Sequence, residues 1–300
     1  MSKKHPIIAV TGSSGAGTST VKVAFEHMFR REGVKPAVIE GDSYHRFNRA
    51  EMKAAMKRFE EQDGCTNFSH FGPEANLFED LEETFRQYGE TGSGQWRLYL
   101  HNHEEAKAFE GLGPGEFTPW QPFDRDTDIL FYEGLHGCVV DEKVNMARYV
   151  DLKIGVVPVI NLEWIQKIHR DTQTRGYSEE AVMDTILRRM YDYVHYIIPQ
   201  FQYTDINFQR VPVVDTSDPI IARDIPTPDE SLVVIRFRDP ELFDVDFSFL
   251  LQMLHGSWMS RRNTIVVPGG KMGLAMELVL TPIMRNIVEE RRQLTRATAA

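Results

Sequence analysis

The sequence predicts an α/β fold: a mixed, mainly parallel sheet with helices on both faces. Three observations carry that reading. A glycine-spaced loop, Gly12-Ser-Ser-Gly15-Ala-Gly17-Thr18-Ser19, follows a short apolar run and precedes a helix-compatible segment. Short β-branched runs then alternate with helical patterns along the chain, the order that builds parallel sheets covered on both sides. At 42% hydrophobic content, 300 residues supply a full core for such a sheet, and we read the whole chain, 1–300, as one domain.

The first strand is read at Ile7–Thr11 and the first helix at Thr20–Arg31. The loop between them matches the phosphate-binding pattern G-x-x-x-x-G-K-[ST] at every fixed position but one: Thr18 stands where lysine is expected. The glycines let backbone N–H groups turn inward around an anion. Gly12, Ser13, Ser14, Gly15, Ala16, Gly17, Thr18, Ser19 and Thr20 are therefore the expected nucleotide-binding residues. The helix N-terminus adds its positive end, and the Ser19 hydroxyl is placed to hold Mg²⁺. The absent lysine would neutralise the β- and γ-phosphates, so another cation must do that or the loop transfers no phosphate.

A second strand, Ala37–Glu40, runs into Gly41-Asp42-Ser43-Tyr44-His45-Arg46-Phe47-Asn48-Arg49. An acid just past a strand's C-terminal end lies in the crevice where open α/β sheets bind ligands. Asp42 is the candidate base for a proton leaving an attacking hydroxyl. His45, Arg46 and Arg49 supply donors suited to an anionic group such as a sugar phosphate. Helices follow at Arg49–Glu61 and Leu77–Tyr88, and the glycine-rich stretches Gly89–Gly94 and Gly111–Pro122 are read as loops at the ligand-binding edge. Between those stretches, Tyr99 and His101 fall on one side of an extended segment and could hydrogen-bond a polyol. The His101-x-His103 pair reads equally as a surface loop, and lacks the further ligands of a zinc site.

The strand Ile129–Glu133 ends in an acid followed by Gly134 and Gly137, which makes Glu133 the candidate metal residue, directly or through water. His136 reads as structural. A strand at Leu152–Val159 leads to a helix at Leu162–Thr174, where Lys167, Arg170, Asp171 and Thr174 share one face and Leu162, Ile165 and Ile168 form another. Followed by Arg175-Gly176, this cationic face suits a helical lid, about residues 162–190, supplying the charge missing at Thr18. Lys22, one helical turn after Thr18, is the rival for that role. Arg188 and Arg189, one helix later, read as helix-surface arginines. Strands at Val211–Asp215, Leu232–Phe237 and Thr264–Val267 and a helix at Pro282–Arg292 complete the chain.

Thirty-four basic against 44 acidic residues, net −10, argue against a general nucleic-acid or anionic-membrane binder. Two cysteines, Cys65 and Cys138, make no disulfide framework. No apolar stretch reaches membrane-spanning length, and the first strand begins too early for a signal peptide, so a soluble cytoplasmic protein is expected.

The segments GSSGAGTST, EGDSYHRFNR, FYEGLHG, NLEWIQKIHRD…TRGY and INFQRVPVVDTS together resemble the phosphoribulokinases of the bacterial type, along nearly the whole chain. The lysine-less loop is shared with that type. The resemblance implies a P-loop kinase-like fold and an enzyme that uses MgATP to phosphorylate the 1-hydroxyl of ribulose 5-phosphate, giving ribulose 1,5-bisphosphate for Calvin-cycle carbon fixation. It implies Asp42 as base, Asp171 as a second essential acid near the metal, and Glu133 assisting the metal. Lys167 and Arg170 would bind the transferring phosphate, and His45, Arg49, Lys53 and Arg175 the sugar phosphate. Ala16 stands where plant-type members carry a redox-regulatory cysteine, so thioredoxin switching is not expected. Bacterial-type members also resemble one another in forming octamers and in being activated by NADH, with Arg31, Arg236 and Arg261 as effector contacts by position. Two alternatives stand beside this: a nucleoside or pantothenate kinase of the same superfamily, and a nucleotide-sensing switch that transfers nothing. The HRFNR cluster weighs against the first, and Asp42 with Asp171 against the second.

Overall fold

The computed structural model describes residues 4–13, 18–174, 176–222 and 224–299, with the side chains of 18–20, 63, 174, 298 and 299 outside the description. In chain order the elements are β1 (Ile7–Gly12), α1 (Thr18–Glu32), β2 (Pro36–Glu40), α2 (Arg49–Asp63), α3 (Phe78–Thr91), β3 (Gln95–Trp96), α4 (His103–Ala106), β4 (Gln121–Pro122) and β5 (Ile129–Gly134). There follow β6 (Leu152–Val156), α5 (Ile160–His169), α6 (Glu179–Asp192), β7 (Ile206–Pro212), β8 (Ser231–Phe237), α7 (Phe247–Met253), β9 (Trp258–Arg261), β10 (Thr264–Pro268) and α8 (Met272–Ala299).

Eight strands form one sheet in the order β2-β5-β1-β6-β7-β8-β10-β9. The first five run parallel, and β8, β10 and β9 join antiparallel. The run Ile7–Val10 is apolar throughout because β1 is covered on both faces. Ile8 and Val10 pack with Phe25, Met28 and Phe29 of α1 and with the buried stripe of α8. Ile7 and Ala9 face the other way, onto Leu81, Phe85 and Tyr88 of α3, as a side-chain period of two requires. The mainly parallel sheet with helices on both faces agrees with the fold class read from sequence. Helix α2 starts at a reciprocal cap: the Asn48 side chain accepts from the backbone of Ala50 and Glu51, and Glu51 accepts from Asn48 N–H.

Several boundaries differ from the sequence reading. The strand expected at Val211–Asp215 is β7, which starts at Ile206. Ile206 and Phe208 are its core residues, whereas Val213 is 60% exposed beyond its end. β6 ends at Val156, two residues before Pro158, which has no N–H to give a ladder. The terminal helix runs from Met272 straight through Pro282, and its first turns bury Ala275, Met276, Val279 and Leu280. Of the expected loop Gly89–Gly94, the part up to Thr91 is the end of α3, and the rest lies away from the ligand-binding edge: Gly92 packs against His5, just before β1, at the opposite end of the sheet.

Candidate active site

Because β1, β2 and β5 are parallel, their C-terminal ends gather at one edge. There they border a cleft of about 730 Å³ whose walls include Gly12, Lys22, Glu40, Asp42, Tyr99, His101, Glu133 and Arg170. Asp42 sits on the tight turn Gly41–Tyr44 that follows β2. Glycine is required on both sides of this edge. A Cβ on Gly134 would stand 2.7 Å from Gly41 Cα, so the ends of β2 and β5 touch backbone to backbone. That contact, with the register Glu40↔Glu133, sets the Asp42 turn beside the Glu133 strand end.

Two imidazoles flank the Asp42 carboxylate: His45 Nε2 lies 3.6 Å from Oδ1 and His101 Nε2 3.6 Å from Oδ2. Burial, reinforced by His136 and Arg189, pushes His45 down to about 3, so it stands neutral beside the acid. Arg97 clamps the turn, donating from Nε to Ser43 O at 2.7 Å and from Nη2 to His45 O at 2.8 Å. Its guanidinium lies 3.7 Å from the Phe117 ring centre and 4.5 Å from that of Trp120. Tyr99 and His101 do share one side of their segment, with ring centres 5.0 Å apart.

The exposed head of Arg49 donates to His101 O at 2.8 Å, and Lys53 is exposed one turn further along α2. Arg46 does not join them: it reaches the carbonyls of Glu74 and Asn76.

At the other wall, α5 buries Leu162, Ile165 and Ile168 and widens into a π-helical turn at Arg170–Thr174. Lys167 is only 7% exposed. It pairs with Asp171, whose other oxygen accepts from Arg170 Nε at 3.0 Å. Burial and then Arg189 lower the Lys167 ammonium to about 8, against the pull of Asp171. Burial lifts the Asp171 carboxyl, but its bonds to Lys167 and Arg170 outweigh that and hold it below the usual range. Arg170 lines the cleft, and buried Lys167, joined to it through Asp171, borders a smaller cavity with Glu163 and Arg189. The rival cation, Lys22, also lines the cleft and is paired with Glu40. Burial pulls its ammonium down, yet Glu40 and then Glu133 carry it above the ordinary value.

Of the phosphate loop, Gly12 and Ser13 are described at the end of β1, while Ser14, Gly15, Ala16 and Gly17 lie outside the described residues, as do Arg175 and the side chains of Thr18, Ser19 and Thr20. Gln200 ties this edge together: its Oε1 accepts from Thr11 Oγ1 at 3.0 Å and Cys138 N at 2.9 Å, and its Nε2 donates to Leu135 O at 2.8 Å. Among the described residues no three His, Cys, Asp or Glu converge as a metal cage. The Glu133 carboxylate in the cleft suits Mg²⁺ that arrives with phosphates, since that ion keeps several waters and needs few protein oxygens.

Residues 7–217 match the sequence model of the phosphoribulokinase/uridine kinase family. The chain belongs to that family. It is 65% identical over 290 residues to phosphoribulokinase 1 of Cereibacter sphaeroides, covering 97% of this chain and 99% of the relative. It is 63% identical over 293 residues to the chromosomal phosphoribulokinase of Cupriavidus necator, covering 98% and 99% respectively. A solved structure, described as phosphoribulokinase from Rhodobacter spheroides, superposes with a TM-score of 0.88 at 62% identity, covering 97% of this chain and 100% of that one. Membership makes this protein a kinase.

For this family member the sequence reading found the cleft acids and Arg170, and it missed the residues that brace them. Arg97 precedes Tyr99 and His101 at spacing two, a signal that could have grouped the three. Glu163 and Tyr193, joined by a 3.1 Å hydrogen bond behind Lys167, lie 30 residues apart with no shared pattern.

Proposed function

We propose that the protein transfers the γ-phosphoryl group of ATP to the 1-hydroxyl of D-ribulose 5-phosphate, giving ribulose 1,5-bisphosphate and ADP for Calvin-cycle carbon fixation. The observation that carries this reading is the 63–65% identity, along 97–98% of the chain, with relatives named phosphoribulokinase. In this reading Asp42 takes the proton of the 1-hydroxyl as its oxygen bonds to the γ-phosphorus. The bond to the β–γ bridging oxygen breaks and ADP leaves with the electron pair. Neutral His45 and its neighbour His101 flank the carboxylate on either side. His45, Arg49, Lys53 and Arg175 hold the 5-phosphate, and Tyr99 with His101 forms the wall for the sugar hydroxyls.

Arg170 faces the transferring phosphoryl group from the cleft wall, with Lys167 and the essential acid Asp171 behind it. Together they replace the loop lysine absent at Thr18, as positioned charge is most of what phosphoryl transfer asks of a protein. Ser19 and Glu133 would hold the Mg²⁺ that accompanies ATP, and that ion would supply neutralisation of charge on the phosphates. Activation by NADH and assembly as a homo-octamer belong to the same reading, with Arg31, Arg236 and Arg261 as effector contacts. In support of this, Arg236 and Arg261 share a cross-strand row on either side of Thr264. Arg31 already bonds Glu277 and Thr281 of α8.

The test is ATP consumption with ribulose 5-phosphate, uridine or pantothenate as acceptor, with and without NADH, alongside an Asp42→Ala variant. Turnover is expected with the sugar phosphate alone, raised by NADH, and lowered by on the order of 10²–10⁴ in the variant with ATP binding retained. Turnover with uridine instead would move the protein to another branch of the family, and unchanged turnover in Asp42→Ala would remove the base.

A further inference from the structure

We propose that His70 is a positioning residue for the acceptor site: its imidazole, stacked on that of His45, sets the His45 ring against Asp42. The inference rests on the reading of this cleft as the sugar-phosphate site. The ring centres of His45 and His70 lie 4.3 Å apart with a 32° tilt, and Tyr99 closes the far side at 6.1 Å. Hydrogen bonding does not hold the His45 ring. Its Nδ1 is buried without a partner, and its Nε2 is 3.6 Å from Asp42 Oδ1, beyond a hydrogen bond. The terminal torsion of histidine is broad, so packing must choose the orientation, and His70 provides the closer and flatter ring contact of the two.

His70 is itself fixed by the strap Ser69–Gly72. Ser69 Oγ donates to Asp192 Oδ2 at 2.7 Å, anchoring the strap to the end of α6. The Phe71 carbonyl accepts from His136 Nε2 at 3.0 Å, and the Phe71 ring lies 5.0 Å beneath the Arg189 guanidinium. Asn76 Nδ2 donates to the carbonyls of His70 at 2.9 Å and Gly72 at 2.6 Å. Gly72 has no room for a side chain, since a Cβ there would stand 2.7 Å from Asp192 Oδ2. The His70 Nδ1 is buried and unpartnered as well, so its ring acts through its face. Burial first, then the neighbouring His45, keeps His70 uncharged, which lets the two rings stack without repulsion. This arrangement is that of a supporting shell orienting a binding group it does not itself replace.

The test is a double-mutant cycle of His70→Ala and His45→Ala, reading kcat and KM for each substrate, with His70→Phe as the conservative variant. His70→Ala is expected to raise the KM for ribulose 5-phosphate about tenfold, with the KM for ATP unchanged, as a misplaced binding group does. His70→Phe keeps the flat face and restores most of the loss, and His70→Ala adds nothing once His45 is alanine. His70→Gln, which keeps volume without a ring, carries the same expectation should the alanine variant not fold. Additive losses, an equal rise in both KM values, or failure of His70→Phe to rescue would each overturn the inference while leaving the cleft's assignment intact. No turnover of ribulose 5-phosphate by the unaltered protein would overturn both.

Discussion

Lys167 is the residue on which the charge of the phosphate site turns. Its burial and the nearby Arg189 bring its ammonium down to about 8, while Asp171 opposes the loss. Below that pH it carries its proton, and above it the cation disappears from behind Arg170. The predicted consequence is a basic limb: kcat/KM for ATP is level on the acid side of about pH 8 and falls toward tenfold per pH unit above it. Lys167→Arg stays charged throughout, so the limb should flatten in that variant, and a limb that persists unchanged would assign it to another group. Stability runs the other way. The folded-state value is below the unfolded one of about 10.4, so between these two values the unfolded chain binds more protons and stability rises with pH. Opposite signs for activity and stability across one pH window separate loss of this cation from simple unfolding.

Among the elements, what was legible in the sequence had a local cause. The phosphate loop is contiguous, and β1 is apolar from Ile7 to Val10 because both its faces are covered. Asp42 and Glu133 are legible because one lies just past, and the other at, the end of a short strand. The rest depends on partners far apart in the chain. β7 was misplaced because exposed Val213 and Val214 look like strand core, and α8 was cut short because Pro282 reads as a stop although packing carries the helix through it. The contact of the β2 and β5 ends is a case where a pair of glycines 93 residues apart, Gly41 and Gly134, joins two elements. Gly134→Ala places a methyl 2.7 Å from Gly41 Cα and must part the strand ends that carry Asp42 and Glu133. The expected result is a fall in kcat of about 10²-fold, the scale of a 1 Å misplacement, with a stability loss of about 1–3 kcal/mol. Full activity in that variant would mean that the cleft tolerates a wider strand junction.

At the scale of the whole molecule, the question is whether the antiparallel strands form a separate unit beside the nucleotide-binding half. Their interior argues otherwise. One buried cluster runs from Ile8 and Val10 of β1, through Ile154 of β6 and Phe208 of β7, to Ile235 of β8 and Ile265 and Val267 of β10. Helix α8 lies along it, contributing Met276, Leu280, Ile283 and Met284, and contacts α1 directly through Arg31 to Glu277 and Arg285 to Glu32. Those surface ion pairs add little on their own; the shared apolar stripe is what couples the halves. Met284 is fully buried, so Met284→Ala should cost about 2–5 kcal/mol. If the chain is one cooperative unit, that loss appears everywhere at once: hydrogen exchange under mild denaturant should lose protection in β1 and β10 together, with one unfolding midpoint by every probe. Protection lost in β8 and β10 while β1 and β5 stay closed would instead divide the chain into two domains, with α8 belonging to the second.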